Sequence, residues 1–154
     1  MNTPRPGLLA TGILAADATA HLYWLTGLTW PATDTRALSL AVLNMEVPFT
    51  FRVLAPLFLL LATGAVAVLA CSRGRGGRAA AIVTAAVAAG ALVRGLVGLA
   101  WSAGLGADPA TPFYWLNLLL YTPLCAALAT AAVLVLRRHR SGNPALLSPR
   151  GQAG

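Results

Sequence analysis

The chain predicts an all-α integral membrane protein. It would be a bundle of four transmembrane helices with both termini cytoplasmic (N-in/C-in) and a short interfacial helix between helices 1 and 2. Three observations point there. Hydrophobic residues fill 58% of the 154 positions and charged residues only 10%, whereas a soluble domain carries about 25% charged residues. Mean hydropathy is correspondingly high, +0.73. Four apolar runs, each near the roughly 20 residues that cross a bilayer core, alternate with polar connections, and the arginines gather on one side of that alternation. The length leaves room for one domain. That domain is a membrane bundle over residues 1–140 with spans at 7–28, 53–70, 79–101 and 113–136, followed by a disordered basic and polar cytoplasmic tail over 141–154.

The first span, Gly7 to Leu28, reads GLLATGILAADATAHLYWLTGL and carries Asp17 and His21 inside its apolar run. Four residues apart, they share a helical face. Ionisable groups within a membrane span are costly and mark functional-site candidates. A cleavable signal peptide is the competing reading, since Leu8 to Ala16 resembles an h-region and Ala18-Thr19-Ala20 fits a cleavage site. Cleavage would remove Asp17. The apolar run continues through His21 to Leu25, which favours a retained span.

Between Thr29 and Phe51, Pro31 breaks the helix, and Thr33, Asp34 or Thr35 can cap a new one. Leu38, Leu40, Val42, Leu43 and Met45 suggest a short interfacial helix that ends at Asn44, Glu46 and Pro48. The second span is uncharged from Val53 to Ala70 and contains Pro56. The turn CSRGRGGR (Cys71 to Arg78) lacks the Gly–Lys–Ser/Thr pattern of a phosphate-cradling loop and reads as a flexible hairpin. The third span, Ala79 to Trp101, has Arg94 as its one charge. The fourth, Phe113 to Leu136, is uncharged and includes Asn117, Tyr121, Pro123 and Cys125.

Arg5, the trio Arg73, Arg75 and Arg78, and the group Arg137, Arg138 and Arg140 mark the cytoplasmic side. Trp24, Trp30, Trp101 and Trp115 fall at the opposite interface, as an aromatic belt does. A net charge of +7 on scattered arginines forms no single basic patch, so no nucleic-acid partner is expected. Cys71 and Cys125 lie at different depths and predict no disulfide; two Cys and two distant His are too few for a metal site, and no cofactor is expected.

Depth brings the polar residues together. His21 and Arg94 each lie seven residues inside the outer end of their span, about 10 Å at 1.5 Å per residue. Asn117 and Tyr121 enter from the same side. On the third span Ala86, Gly90, Arg94 and Gly98 recur every fourth position, a small-residue stripe expected to pack inward. An intramembrane arginine needs acceptors. Asp17 is the expected partner of Arg94, with Glu46 as the other carboxylate in reach.

At these residues the chain resembles a family of small bacterial membrane proteins classed as a domain of unknown function, number 3995. The specific segments are His21-Leu22-Tyr23-Trp24 with Gly27 close behind, Arg94 followed by Gly98, and Tyr121-Thr122-Pro123-Leu124-Cys125. The resemblance spans most of the chain; it implies four membrane helices and names no activity. This chain departs from the family pattern at Asn117, where the pattern is acidic, and at Leu28, where it has a second glycine.

The expectation is therefore a multi-pass protein of the bacterial cytoplasmic membrane, non-enzymatic, with a polar centre in the outer half of the bundle. Asp17, His21, Tyr23, Trp24, Arg94, Asn117 and Tyr121 are its candidate residues. The centre is either a structural network or a site for a small amphiphile or lipid headgroup. The alternative is a membrane-embedded enzyme or small transporter using Asp17 and His21 as acid and base. The bilayer is the expected partner, and a homo-oligomer is left open.

Overall fold

A computed structural model of the chain describes residues 5–141. The described residues are helical with short connections and contain no strand. In chain order they form α1 (Arg5–Leu25), α2 (Thr35–Leu43), α3 (Phe51–Ser72), α4 (Gly77–Ser102), α5 (Pro112–Leu116), a π-helical segment (Asn117–Tyr121) and α6 (Thr122–Ser141). The last three run on as one fourth span, Pro112–Ser141, and the chain has four helices long and apolar enough to cross a membrane. The predicted four-helix bundle with a short helix between helices 1 and 2 is what the chain forms.

The boundaries follow local chemistry. In α2, Asp34 caps the first turn: its Oδ1 accepts the Ala37 N–H at 2.8 Å. That bond, with a second from Thr33, holds the Asp34 carboxyl below the usual carboxylate range. Asn44 stops α2 in the left-handed region, φ 58°. The turn between α3 and α4 needs its glycines, because Gly74, Gly76 and Gly77 all have positive φ. The fourth span opens with Pro112 in its first turn, where its missing N–H is harmless. Its wide π turn closes with the Thr122 N–H on the Asn117 carbonyl, one residue before Pro123. A proline inside a regular helix clashes with the carbonyl four residues back, and a π turn is one way to absorb that. The fourth span continues to Ser141, where the tail was expected to begin; residues 142–154 lie outside the described region.

The four long helices form a ring. α1 packs most closely on α3 and α4 on α6, while α3–α4 and α1–α6 contacts complete the circuit and α3 also meets α6 across it. α1 and α4 therefore occupy the long diagonal. The packed centre is small and apolar: Ala10, Leu14, Ala65, Val68 and Ala131 form one cluster, and Cys71, Ala80 and Val135 another. Small side chains let membrane helices approach, where dispersion rather than water exclusion holds them. Large apolar side chains point outward instead, among them Val66 and Leu119, 69% and 70% exposed. That is the arrangement of a bundle solvated by lipid.

The buried face of α4 is Ala80, Thr84, Ala88, Ala91, Gly95 and Gly98. The expected stripe is corrected by this: Gly98 is buried and Arg94 half-buried, but Ala86 and Gly90 are exposed. Strict fourth-residue spacing drifts by about 40° per step on a helix of 3.6 residues per turn. Over three steps it leaves the inner face, whereas alternating steps of three and four stay on it.

At one end of the bundle α2 packs against α5. Asn44 Nδ2 donates to the Gly106 carbonyl at 3.0 Å, tying α2 to the loop after α4. Arg36 pairs with Glu46 at 2.6 Å, which raises the Arg36 pKa. This is called the α2 end below.

Candidate functional site

Arg94 projects from the flank of the buried α4 face toward the fourth span. Its Nη1 donates to Asn117 Oδ1 at 3.1 Å. Its guanidinium carbon lies 4.8 Å from the Trp101 ring centroid and 5.8 Å from that of Tyr121. Trp101, seven residues on, stands on nearly the same side of α4. Two aromatic faces and one amide oxygen thus surround the cation, and cation–π contacts of this kind strengthen out of water.

Asn117 is fully buried. Its Nδ2 donates to the Gly98 carbonyl at 2.8 Å and to Ser102 Oγ at 3.3 Å. The amide orientation follows from chemistry, since a guanidinium only donates and a carbonyl only accepts. Ser102 in turn donates to the Gly98 carbonyl at 2.8 Å, and the Tyr114 hydroxyl donates to the Ser102 carbonyl at 3.1 Å. Gly98 makes the meeting geometrically feasible. A Cβ there would collide with Thr122 Oγ1 and sit 3.2 Å from Asn117 Oδ1 and 3.3 Å from Arg94 Nη1.

Asp17 and His21 form a separate group on α1. His21 Nδ1 donates to the Asp17 backbone carbonyl at 2.9 Å and lies 3.4 Å from Asp17 Oδ1. The carbonyl can only accept, so the proton is on Nδ1. The Asp17 side chain is 51% exposed and that of His21 14%. The His21 ring stands edge-on to Trp24, centroids 5.3 Å apart, and Trp24 packs on Phe49 at 5.8 Å. Tyr23, nine residues from the buried Leu14, projects from the opposite side of α1 and takes no part in these contacts.

The expected Asp17–Arg94 pair is absent. Among the described residues the ion pairs are Asp17 with His21 and Arg36 with Glu46, so neither carboxylate reaches Arg94. The ring order is the reason: α1 and α4 stand on the long diagonal, and Arg94 turns to the neighbour beside it. The structure thus brings Arg94, Asn117 and Tyr121 together, and Asp17, His21 and Trp24 together. Sequence reading passed over Ser102 and Tyr114, and it took Trp101 as a belt residue and not as a partner of Arg94. Ser102 and Trp101 lie four and three residues from Gly98, and that spacing was the available signal. Both cysteines are free.

The family assignment rests on most of the chain. Residues 14–141 match the family described as protein of unknown function (DUF3995). The chain belongs to this family. No curated protein and no solved structure matches it. Within this DUF3995 protein the match covers α2, α3, α4, the fourth span and both polar groups, and it leaves out residues 1–13, with the start of α1, and 142–154.

Proposed function

We propose that this DUF3995 protein is a non-enzymatic component of the bacterial cytoplasmic membrane whose Arg94 receives the anionic group of a small amphiphile or lipid headgroup. The observation that carries this reading is the state of the guanidinium. It has five N–H donors, and among the described residues one hydrogen bond leaves it, to a neutral amide. An arginine inside a membrane stays charged, and an unneutralised cation there favours an anion. A phosphate or carboxylate takes two guanidinium donors side by side, with Trp101 and Tyr121 as walls.

The α2 end faces outward in this reading, because Arg73, Arg75, Arg78, Arg137 and Arg138 gather at the other end. Transport finds less support. The half of the bundle away from the α2 end is closed by Ala10, Leu14, Ala65, Val68 and Ala131, which offer no polar step to a passing ion.

Lipid retention measured by native mass spectrometry tests the reading. Wild-type protein purified from vesicles containing phosphatidylglycerol is expected to keep bound lipid that Arg94→Gln loses. The loss should be about ten- to a hundredfold, in line with the 1.5–3 kcal/mol of a hydrogen bond to a charged group. Equal retention by a folded Arg94→Gln protein overturns it.

A further inference from the structure

We propose that the group received beside Arg94 is zwitterionic, with a cationic amine held at Asp17 while its anionic part lies on Arg94. The inference rests on the Arg94 reading above and specifies its ligand class.

The placement of the two charges carries it. Asp17 lies eight residues before the end of α1 at Leu25, and Arg94 eight before the end of α4 at Ser102. Tyr121 lies nine residues into the fourth span, counted from Pro112. All three are therefore about 12–14 Å from the α2 end at 1.5 Å per residue. The fourth span stands between α1 and α4 and packs against both.

Two opposite charges thus sit at one depth of an apolar bundle without meeting each other. Asp17 has only His21 of its own helix as ion-pair partner among the described residues, and its carboxylate is half exposed. Arg94 has only the neutral Asn117. A ligand with a single negative charge gains at Arg94 and is repelled at Asp17. A single positive charge meets the reverse. A molecule carrying both neutralises both, which is the complementarity that gives charged sites their specificity. Trp24, edge-on to His21, supplies an aromatic surface on the Asp17 side, where an ammonium is also welcome.

The test compares phosphatidylethanolamine with phosphatidylglycerol of identical acyl chains, read by native mass spectrometry on the full chain from mixed vesicles. Wild type is expected to retain the ethanolamine lipid over the glycerol lipid by about tenfold or more, as for loss of one partner of a desolvated charge pair. Asp17→Asn should bring that ratio to near one while still retaining phosphatidylglycerol, and Asp17→Glu should restore the preference. Arg94→Gln should lose both lipids. An ethanolamine preference unchanged in Asp17→Asn, or absent in wild type, overturns the zwitterion while leaving the Arg94 reading intact. Retention of both lipids by Arg94→Gln overturns that underlying reading instead. Competition with soluble glycerophosphoethanolamine separates the sources of the same chemistry: effective displacement identifies a soluble zwitterion, and none identifies the lipid itself.

Discussion

The polar contacts between α4 and the fourth span converge on a residue with no side chain: the Gly98 carbonyl accepts from both Asn117 and Ser102, and its Cα faces Thr122. Thr122 Oγ1 is buried without a partner, and its β-branched side chain has little freedom to turn aside. Gly98→Ala should therefore push the two helices apart. The expected loss is about 1–3 kcal/mol, the usual range for overpacking, seen as a lower melting temperature in detergent. Because Arg94 Nη1 and Asn117 Oδ1 both border that position, lipid retention should fall with it. An unchanged melting temperature would mean that helix spacing is set elsewhere. Gly98 was visible beforehand as a small residue four positions from Arg94, but its partner was not. That Asn117 rather than Asp17 stands opposite Arg94 depends on which helices are neighbours.

Among the elements, α2 and the π segment differ in how local their causes are. α2 is written in its own residues, with Asp34 as cap and Asn44 as stop, and that kind of signal is readable without neighbours. Its cap is also pH-sensitive. The charged carboxylate binds the Ala37 N–H, so the folded pKa lies below the ordinary 3.8. The stabilisation is then fully present above that ordinary value and is lost as pH falls through the lower folded one. Amide shifts of Ala37 followed by NMR on acidification should report the release in wild type and none in Asp34→Asn, which keeps an uncharged cap. A titration in both proteins would sink this account. The π segment has a local cause in Pro123 and a distant consequence. With its wider turn, Asn117 and Tyr121 come closer to one helical face than α-geometry allows. Proline marks where a helix must adjust, but the choice among kink, bulge and π turn is made by packing, here of Asn117 on Gly98.

For the whole molecule, the ring order of helices separates the polar groups into two. Spans consecutive in the chain are neighbours in the ring, as the pairs α1–α3, α3–α4 and α4–α6 show. Closure of the ring then leaves two diagonals, and the helices choose which is short. Small residues on α3 such as Gly64 and Ala65 let it approach the centre, so α3 meets α6 and α1 stays away from α4. Orientation is a prediction at this scale. In a Cys71→Ala, Cys125→Ala background, Met45→Cys at the α2 end should react with a membrane-impermeant maleimide in intact cells. Arg75→Cys in the opposite turn should react only after lysis. The reverse pattern would invert the bundle and place the Arg94 cluster nearer the cytoplasmic face.

By itself the sequence determined the fold class, the number of spans and the presence of a short helix between the first two. Each of these depends on composition, on period along one helix or on counting residues at a known rise, all properties of a single segment. Only the tertiary structure decided that Arg94 answers to Asn117, Trp101 and Tyr121 while Asp17 stays with His21. Partners across a bundle depend on azimuth and helix order as well as depth. In a chain whose helix faces are mostly Ala, Gly, Val and Leu, those are set by the summed packing of many small side chains, which no single position announces.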